Sequence, residues 1–321
     1  ALLPDLHVAP GESRAWAAIQ RALWPLVGKI DPDTALLVAS TVGEIEFVER
    51  SVLDDDPALA AESRPQVLVE RIRRLLGLRG QCMAISSACA SSAAALTRGA
   101  AMIRHGEAAA ALVVTCDVVS EFVYSGFSTL FSLSAEPARP FDAKRCGLSL
   151  GEAAAWTLLK AGEDSGGIAI LGWGNTMDAV HMTAPDRNGA GLSRAIAKAS
   201  AMAQQPADRA AFIAAHGTGT QYSDAMEIAA FGAAVGNPRR VFSIKGGIGH
   251  TLAAAGLVQI LVAGRALGLG VVPPTIGLCG CDAAATDWVH GEIGTDGIAI
   301  STNSGFGGVN TAIVLGGGKT A

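Results

Sequence analysis

Four short segments carry side chains able to do covalent chemistry. Cys89 follows an apolar run and precedes a stretch of very small residues, Ile85-Ser-Ser-Ala-Cys89-Ala-Ser-Ser-Ala-Ala-Ala95. A thiol at a helix N-terminus faces unpaired N–H groups and the positive end of the macrodipole, so this placement predicts a lowered thiol pKa and a reactive sulfur. Taken alone, the same residue also reads as a buried structural cysteine acting as a small hydrophobe. His216 stands in Ala-Ala-His216-Gly-Thr218-Gly-Thr220, directly after an apolar run. The glycines keep the turn open, and Thr218 and Thr220 place hydroxyls on one rim. A satisfied structural histidine is the alternative there, and a phosphate loop would need a Lys-Ser/Thr pair that this segment lacks. Lys245 and His250 share Lys245-Gly-Gly-Ile-Gly-His250-Thr-Leu-Ala-Ala-Ala-Gly256. A helix N-terminus disfavours imidazolium, so His250 is expected to be neutral and to donate from one ring nitrogen. A capping histidine beside a surface lysine is the other reading. The fourth segment, Asn303-Ser-Gly-Phe306-Gly-Gly-Val-Asn310, is a glycine-flanked turn whose N–H groups can hold an oxyanion. Phe306 could equally be an ordinary plug residue.

One cysteine, two histidines, a lysine and a donor loop suit acyl-thioester chemistry as a set. Metal binding is the rival for such residues, but no H-x-x-x-H or C-x-x-C pair appears, and the C-x-C pair Cys279/Cys281 has no histidine or second cysteine pair beside it.

These segments need elements to hold them. Strands are expected at 35–40, 81–86, 109–116, 152–159, 167–173, 211–215, 241–244, 297–302 and 312–315. Helices are expected at 67–76, 90–104, 192–203, 224–235 and 252–267, with a loop-rich stretch between Cys116 and Pro140. Strands alternating with helices indicate an α/β fold with helix-covered sheets. The order apolar strand, small-residue turn, Ala-rich helix occurs once around Cys89 and again around His250. The chain therefore reads as two related halves, residues 1–162 and 163–321.

Composition narrows the function. Half the residues are hydrophobic and 17% are charged, which suits a large packed core and excludes low-complexity disorder. The net charge of −5 gives no nucleic-acid surface. The longest apolar stretch, 251–264, ends at Arg265 and falls short of the roughly 20 residues a membrane span needs. No secretory signal is visible, and the six cysteines are scattered without framework spacing, so a reducing cytoplasm is expected.

The four segments together resemble the β-ketoacyl synthases, decarboxylating condensing enzymes of the thiolase superfamily. Arg139-Pro-Phe-Asp-Ala-Lys-Arg-Cys-Gly147, with Gly151-Glu152, and Asp178-Ala-Val-His-Met-Thr-Ala-Pro185 resemble two further signatures of that family. The likeness runs from about Ala35 to the C-terminus. It implies a thiolase-like fold, five-layered α-β-α-β-α, built from two pseudo-symmetric halves. It implies that Cys89 accepts the acyl chain, and that His216 and His250 donate to the malonyl thioester carbonyl as CO2 leaves. Lys245 would be a supporting charge. The N–H groups of Cys89 and Phe306 would form the oxyanion hole, and Phe306 would gate access of the second substrate. Thr218 and Thr220 would hold the phosphopantetheine arm of acyl carrier protein. No cofactor or metal is implied. The implied partners are the carrier protein and a second subunit, as a homodimer or as a heterodimer with a related ketosynthase or chain-length-factor subunit.

Two departures stand out. Family members open with a strand bearing a Val-Val-Thr-Gly-like run well before the region matching Ala35, so an N-terminally reduced first half is expected here. Gln259 stands where fatty-acid-type members carry a glutamate associated with the lysine, which leaves the partner of Lys245 open. A non-catalytic chain-length-factor-like subunit and an acyltransferase or thioesterase on the same fold are the alternatives. Such subunits usually lack the nucleophilic cysteine that this chain has.

Overall fold

A computed structural model describes residues 1–162, 167–236, 238, 240–282, 288, 290–294 and 297–317. In chain order the elements of the first half are α1 (Arg14–Leu23), β1 (Ala35–Ala39), α2 (Glu46–Leu53), α3 (Pro65–Leu76), β2 (Cys82–Ile85), α4 (Ser91–Arg104), β3 (Ala110–Asp117), α5 (Glu121–Thr129) and β4 (Ala153–Lys160). Then follow β5 (Ala169–Met177), α6 (Ala190–Ala203), β6 (Ala210–Ala214), α7 (Gln221–Val235), β7 (Val241–Phe242), α8 (Lys245–Ile248) and α9 (Ala255–Leu269). The chain closes with β8 (Val271–Val272), β9 (Gly291–Glu292), β10 (Ile298–Gly305) and β11 (Val309–Gly316). The expected boundary between residues 162 and 163 falls at a segment outside the described residues.

The first sheet has the order β2-β1-β3-β4 and the second β5-β11-β10-β6-β7. β1 runs parallel to β2 and β3, and β3 is antiparallel to β4. The second sheet repeats this: β6 runs parallel to β7 and β10, and β10 is antiparallel to β11. β5 adds a further antiparallel strand beside β11. Among the described residues, β5 has no counterpart in the first sheet. The N-terminal segment instead meets the residues just before β4, where Ala1 donates to the Leu150 carbonyl at 2.7 Å and Glu152 N–H to the Ala1 carbonyl at 2.9 Å.

Strands buried on both faces need apolar residues throughout, and β1 is buried at every position. Its alternate side chains enter two different cores. Leu36 and Val38 pack with α1 and α3 on the outside, whereas Ala35, Leu37 and Ala39 face a central core with α4 and α9. The second sheet sends Phe212 and Ala214 to that central core, and Ile213 and Ala215 to an outer one with α6 and α7. The layers are therefore helices, sheet, helices, sheet, helices: a thiolase-like α/β fold. The apolar helix of residues 252–269 lies in the central layer and is two-thirds buried.

Among the described residues, four α-helices arise where the sequence predicts none: α1, α2, α5 and the short α8. In α5 the residues Glu-Phe-Val-Tyr-Ser-Gly-Phe-Ser-Thr favour strand or turn, yet Ser120 caps the segment by accepting the Val123 N–H at 3.3 Å. The expected strand 241–244 is only two residues long, because the chain turns into α8 at Lys245. The expected strand 297–302 runs on to Gly305 and forms a hairpin with β11, so the 303–310 segment is a tight, paired turn.

Candidate active site

Cys89 sits at a backbone corner between β2 and α4. Ala88 there has φ +47°, unusual for a residue with a side chain. Ser91 holds the corner: its hydroxyl accepts the Ser87 N–H at 2.8 Å and donates to the Ala88 carbonyl at 2.6 Å. The Gly305 end of β10 rests directly on this corner. A Cβ at Gly305 would stand 3.0 Å from the Ser87 carbonyl oxygen and 3.3 Å from the Cys89 nitrogen. A side chain there would crowd the backbone of the nucleophile corner.

The structure places Cys89, His216, Thr218, Thr220, His250 and Phe306 on the wall of one cavity of about 230 Å³. Phe127 of α5 also lines it, with its ring centroid 5.8 Å from that of Phe306. Phe131, by contrast, is almost fully exposed. The two imidazoles lie edge to face, with centroids 5.3 Å apart. Thr218 and Thr220 share a 2.9 Å hydroxyl–hydroxyl contact.

Hydrogen bonds fix the tautomers of both rings. Leu252 N–H donates to His250 Nδ1 at 3.2 Å. Lys245 Nζ and Asn303 Nδ2 both lie 3.4 Å from His216 Nδ1. Each Nδ1 thus faces donors and acts as acceptor, which puts the ring proton on Nε2. Burial, then the nearby Lys245 charge, holds both imidazoles well below the ordinary histidine range, so both are neutral at pH 7. The site therefore offers two neutral Nε2–H donors.

Lys245 opens α8 and is buried, its ammonium donating to the His216 carbonyl. Burial lowers its pKa, and the nearby Glu227 and Asp224 carboxyls oppose that. Gln259 is not its partner. The Gln259 amide nitrogen instead lies 2.7 Å from the Ala214 carbonyl, 2.9 Å from Ser301 Oγ and 3.0 Å from the Thr302 carbonyl. Two buried carboxyls of α7 act on Lys245 through their charge. Glu227 accepts the N–H groups of His216 at 2.8 Å and Gly217 at 2.6 Å, and the Thr302 hydroxyl at 3.1 Å. Asp224 accepts the N–H groups of Phe141 at 2.7 Å, Thr218 at 3.0 Å and Gly219 at 3.1 Å. Burial raises both carboxyls, Asp224 to about 6. Sequence reasoning missed both residues. The signal was an acidic pair three residues apart, one face of the helix that follows the His216 turn.

The thiol corrects an expectation. Burial pushes Cys89 up to about 12, and the Lys245 charge and the N–H groups of Cys89 and Phe306 only partly oppose it. Local helix-end electrostatics favour a thiolate, but removing the sulfur from water outweighs them, so the resting group is a neutral thiol. Alkylation of Cys89 by iodoacetamide, followed on its own peptide by mass spectrometry, is expected to quicken about tenfold per pH unit from pH 7 to 9. A rate flat across that range would mean a preformed thiolate.

Cys279 and Cys281 lie elsewhere, on a loop whose Cys279 and Gly280 N–H groups donate to Asp142, each at 2.8 Å. No group of three metal-binding side chains occurs among the described residues.

A five-layered α/β fold with a cysteine at a strained strand–helix corner, two neutral imidazole donors and a backbone donor turn defines a thiolase-like condensing enzyme. Two family models cover most of the chain: Beta-ketoacyl synthase, N-terminal domain, over residues 13–165, and Beta-ketoacyl synthase, C-terminal domain, over residues 168–279. The chain belongs to the β-ketoacyl synthase family. It is 32% identical over 332 residues to 3-oxoacyl-(acyl-carrier-protein) synthase 2 of Mycobacterium bovis, with 94% of this chain and 80% of that protein covered. It is 33% identical to the tetracenomycin polyketide synthase ketoacyl synthase alpha subunit of Streptomyces glaucescens, covering 74% of this chain and 61% of that one. A ketosynthase solved in complex with its chain length factor, from Xenorhabdus doucetiae, superposes with a TM-score of 0.88 at 27% identity, covering 98% of this chain and 86% of that one. The protein is a condensing enzyme, an acyltransferase of fatty acid or polyketide synthesis.

Proposed function

We propose that Cys89 takes an acyl group from a thioester and that the same cavity joins it to a malonyl group borne on acyl carrier protein, giving a 3-oxoacyl thioester and CO2. One observation carries this reading: the thiol, both imidazoles and Phe306 line a single cavity. In the first step the Cys89 sulfur forms a bond to the acyl carbon, the carrier thiol leaves, and the thiol proton passes to it. In the second, malonyl loses CO2 and its thioester carbonyl becomes an enolate oxyanion held by the Nε2–H groups of His216 and His250. The enolate carbon attacks the acyl carbon. The tetrahedral oxyanion sits at the N–H groups of Cys89 and Phe306, and its collapse expels the Cys89 sulfur. The negative charge that entered as the malonyl carboxylate ends on that sulfur, where burial favours uptake of a proton. Lys245 supports the carbonyl side of His216, and Thr218 and Thr220 line the path of the phosphopantetheine arm. The scheme draws on no cofactor, and the scattered cysteines favour the cytoplasm as its compartment.

A second subunit fits the exposed edge of the first sheet. β2 ends that sheet and is partly exposed along its length, which supports a dimer with another copy or with a related subunit.

The test is radiolabelled malonyl-carrier with an acyl-thioester primer. CO2 release and a 3-oxoacyl product are expected from the wild type. Cys89→Ala is expected to give no acyl-enzyme and no condensation product. Acyl transfer without CO2 release would replace condensation by simple acyltransfer.

A further inference from the structure

His250 takes its orientation from a short turn of backbone that is also held from outside. The ring is fixed through Nδ1 by the N–H of Leu252, and Leu252 has φ +52°, a left-handed conformation disfavoured for a branched side chain. The next residue, Ala253, is held from the first half of the chain. The Ala253 N–H donates to Asp117 Oδ2 at 2.8 Å, and the Ala253 carbonyl accepts from the Ser92 hydroxyl. Ser92 Oγ in turn accepts the Leu257 N–H at 2.9 Å, securing the first turn of α9. Asp117 ends β3, is fully buried, and does not line the cavity. Its carboxylate is held by the Ser40 hydroxyl at 2.6 Å, the Thr41 hydroxyl at 2.5 Å and the Thr41 N–H at 3.1 Å. A buried carboxylate so fully satisfied is a fixed anchor.

We propose that Asp117 and Ser92 are positioning residues for His250. Together they hold the backbone N–H and carbonyl of Ala253, keep Leu252 in its strained conformation, and so aim the His250 Nε2–H at the malonyl carbonyl. This rests on the reading of His250 as an enolate donor. Loss of either grip lets Leu252 relax toward ordinary φ, which turns the imidazole without removing it. Displacements of that size near reacting atoms cost on the order of tenfold to a hundredfold in rate.

The test compares Ser92→Ala and Asp117→Ala with His250→Ala. Asp117→Ala removes the acceptor of the Ala253 N–H without adding bulk. Malonyl-carrier decarboxylation is expected to fall at least tenfold in kcat, with KM nearly unchanged. Acylation of Cys89, measured by mass spectrometry, should not fall below about half the wild-type rate, since loss of the Asp117 charge favours the Cys89 thiolate. Added to His250→Ala, either substitution should cost nothing further. The proposal is overturned if decarboxylation is unchanged, if acylation falls in step with it, or if the loss persists undiminished in the His250→Ala background. If one variant does not fold, the other carries the same comparison. Should His250→Ala itself decarboxylate normally, the donor reading of His250 falls, an outcome distinct from failure of the clamp alone.

Discussion

His250→Ala is expected to lose malonyl decarboxylation while Cys89 is still acylated. The variant keeps the nucleophile corner, the Phe306 turn and Lys245, so thioester exchange retains its parts. It loses one of two neutral donors aimed at the forming enolate. Removal of a single oxyanion donor in a buried site costs about 3 kcal/mol, on the order of a hundredfold in kcat. Mass spectrometry of the acyl-enzyme and CO2 release from malonyl-carrier separate the two steps. An unacylated Cys89 in a folded His250→Ala protein would contradict the assignment. Neutrality is part of the prediction: both rings lie well below the ordinary histidine range through burial, so the donor pair should hold its form from pH 6 to 8 and decarboxylation should show no histidine titration there.

The largest stability effect is expected at Glu227. Replacing it with alanine strips acceptors from the His216 and Gly217 N–H groups and the Thr302 hydroxyl, and removes a charge that offsets Lys245. Leaving a buried donor without its acceptor typically costs about 1–3 kcal/mol, and three donors lose theirs here. Denaturant unfolding should show that loss. The double variant Glu227→Ala/Lys245→Ala should be less destabilised than the sum of the single changes, because the ammonium is then no longer stranded. Strict additivity would mean that the two groups do not interact.

The sequence carried the nucleophile, both histidines and the glycine turns plainly, because reactive side chains at strand ends have local signatures. It carried most strands for the same reason: β1 and β3 are apolar runs of strand length. α5 was hidden because aromatic and β-branched residues dominate it, and only the Ser120 cap marks its start. Asp117, Asp224 and Glu227 were hidden for another reason. Each accepts N–H groups from segments distant in the chain or from a turn whose shape is not local, so their burial has no short-range sign. The ionisation of Cys89 was misjudged on the same grounds. A helix end can be read from neighbours in sequence, whereas exclusion of water depends on what folds over the sulfur.

The Ala253 clamp has company along the seam between the sheets. His250 N–H donates to the Ser149 carbonyl at 2.6 Å, Gly151 N–H donates to the His250 carbonyl at 3.0 Å, and Gly305 rests on the nucleophile corner. Each contact joins a residue before position 162 to one after it. A chimera built by grafting one half onto the other half of a relative would sever these stitches unless both matching residues travelled together. Recombination within such a protein is thus free to vary its outer helices, while the seam is inherited whole.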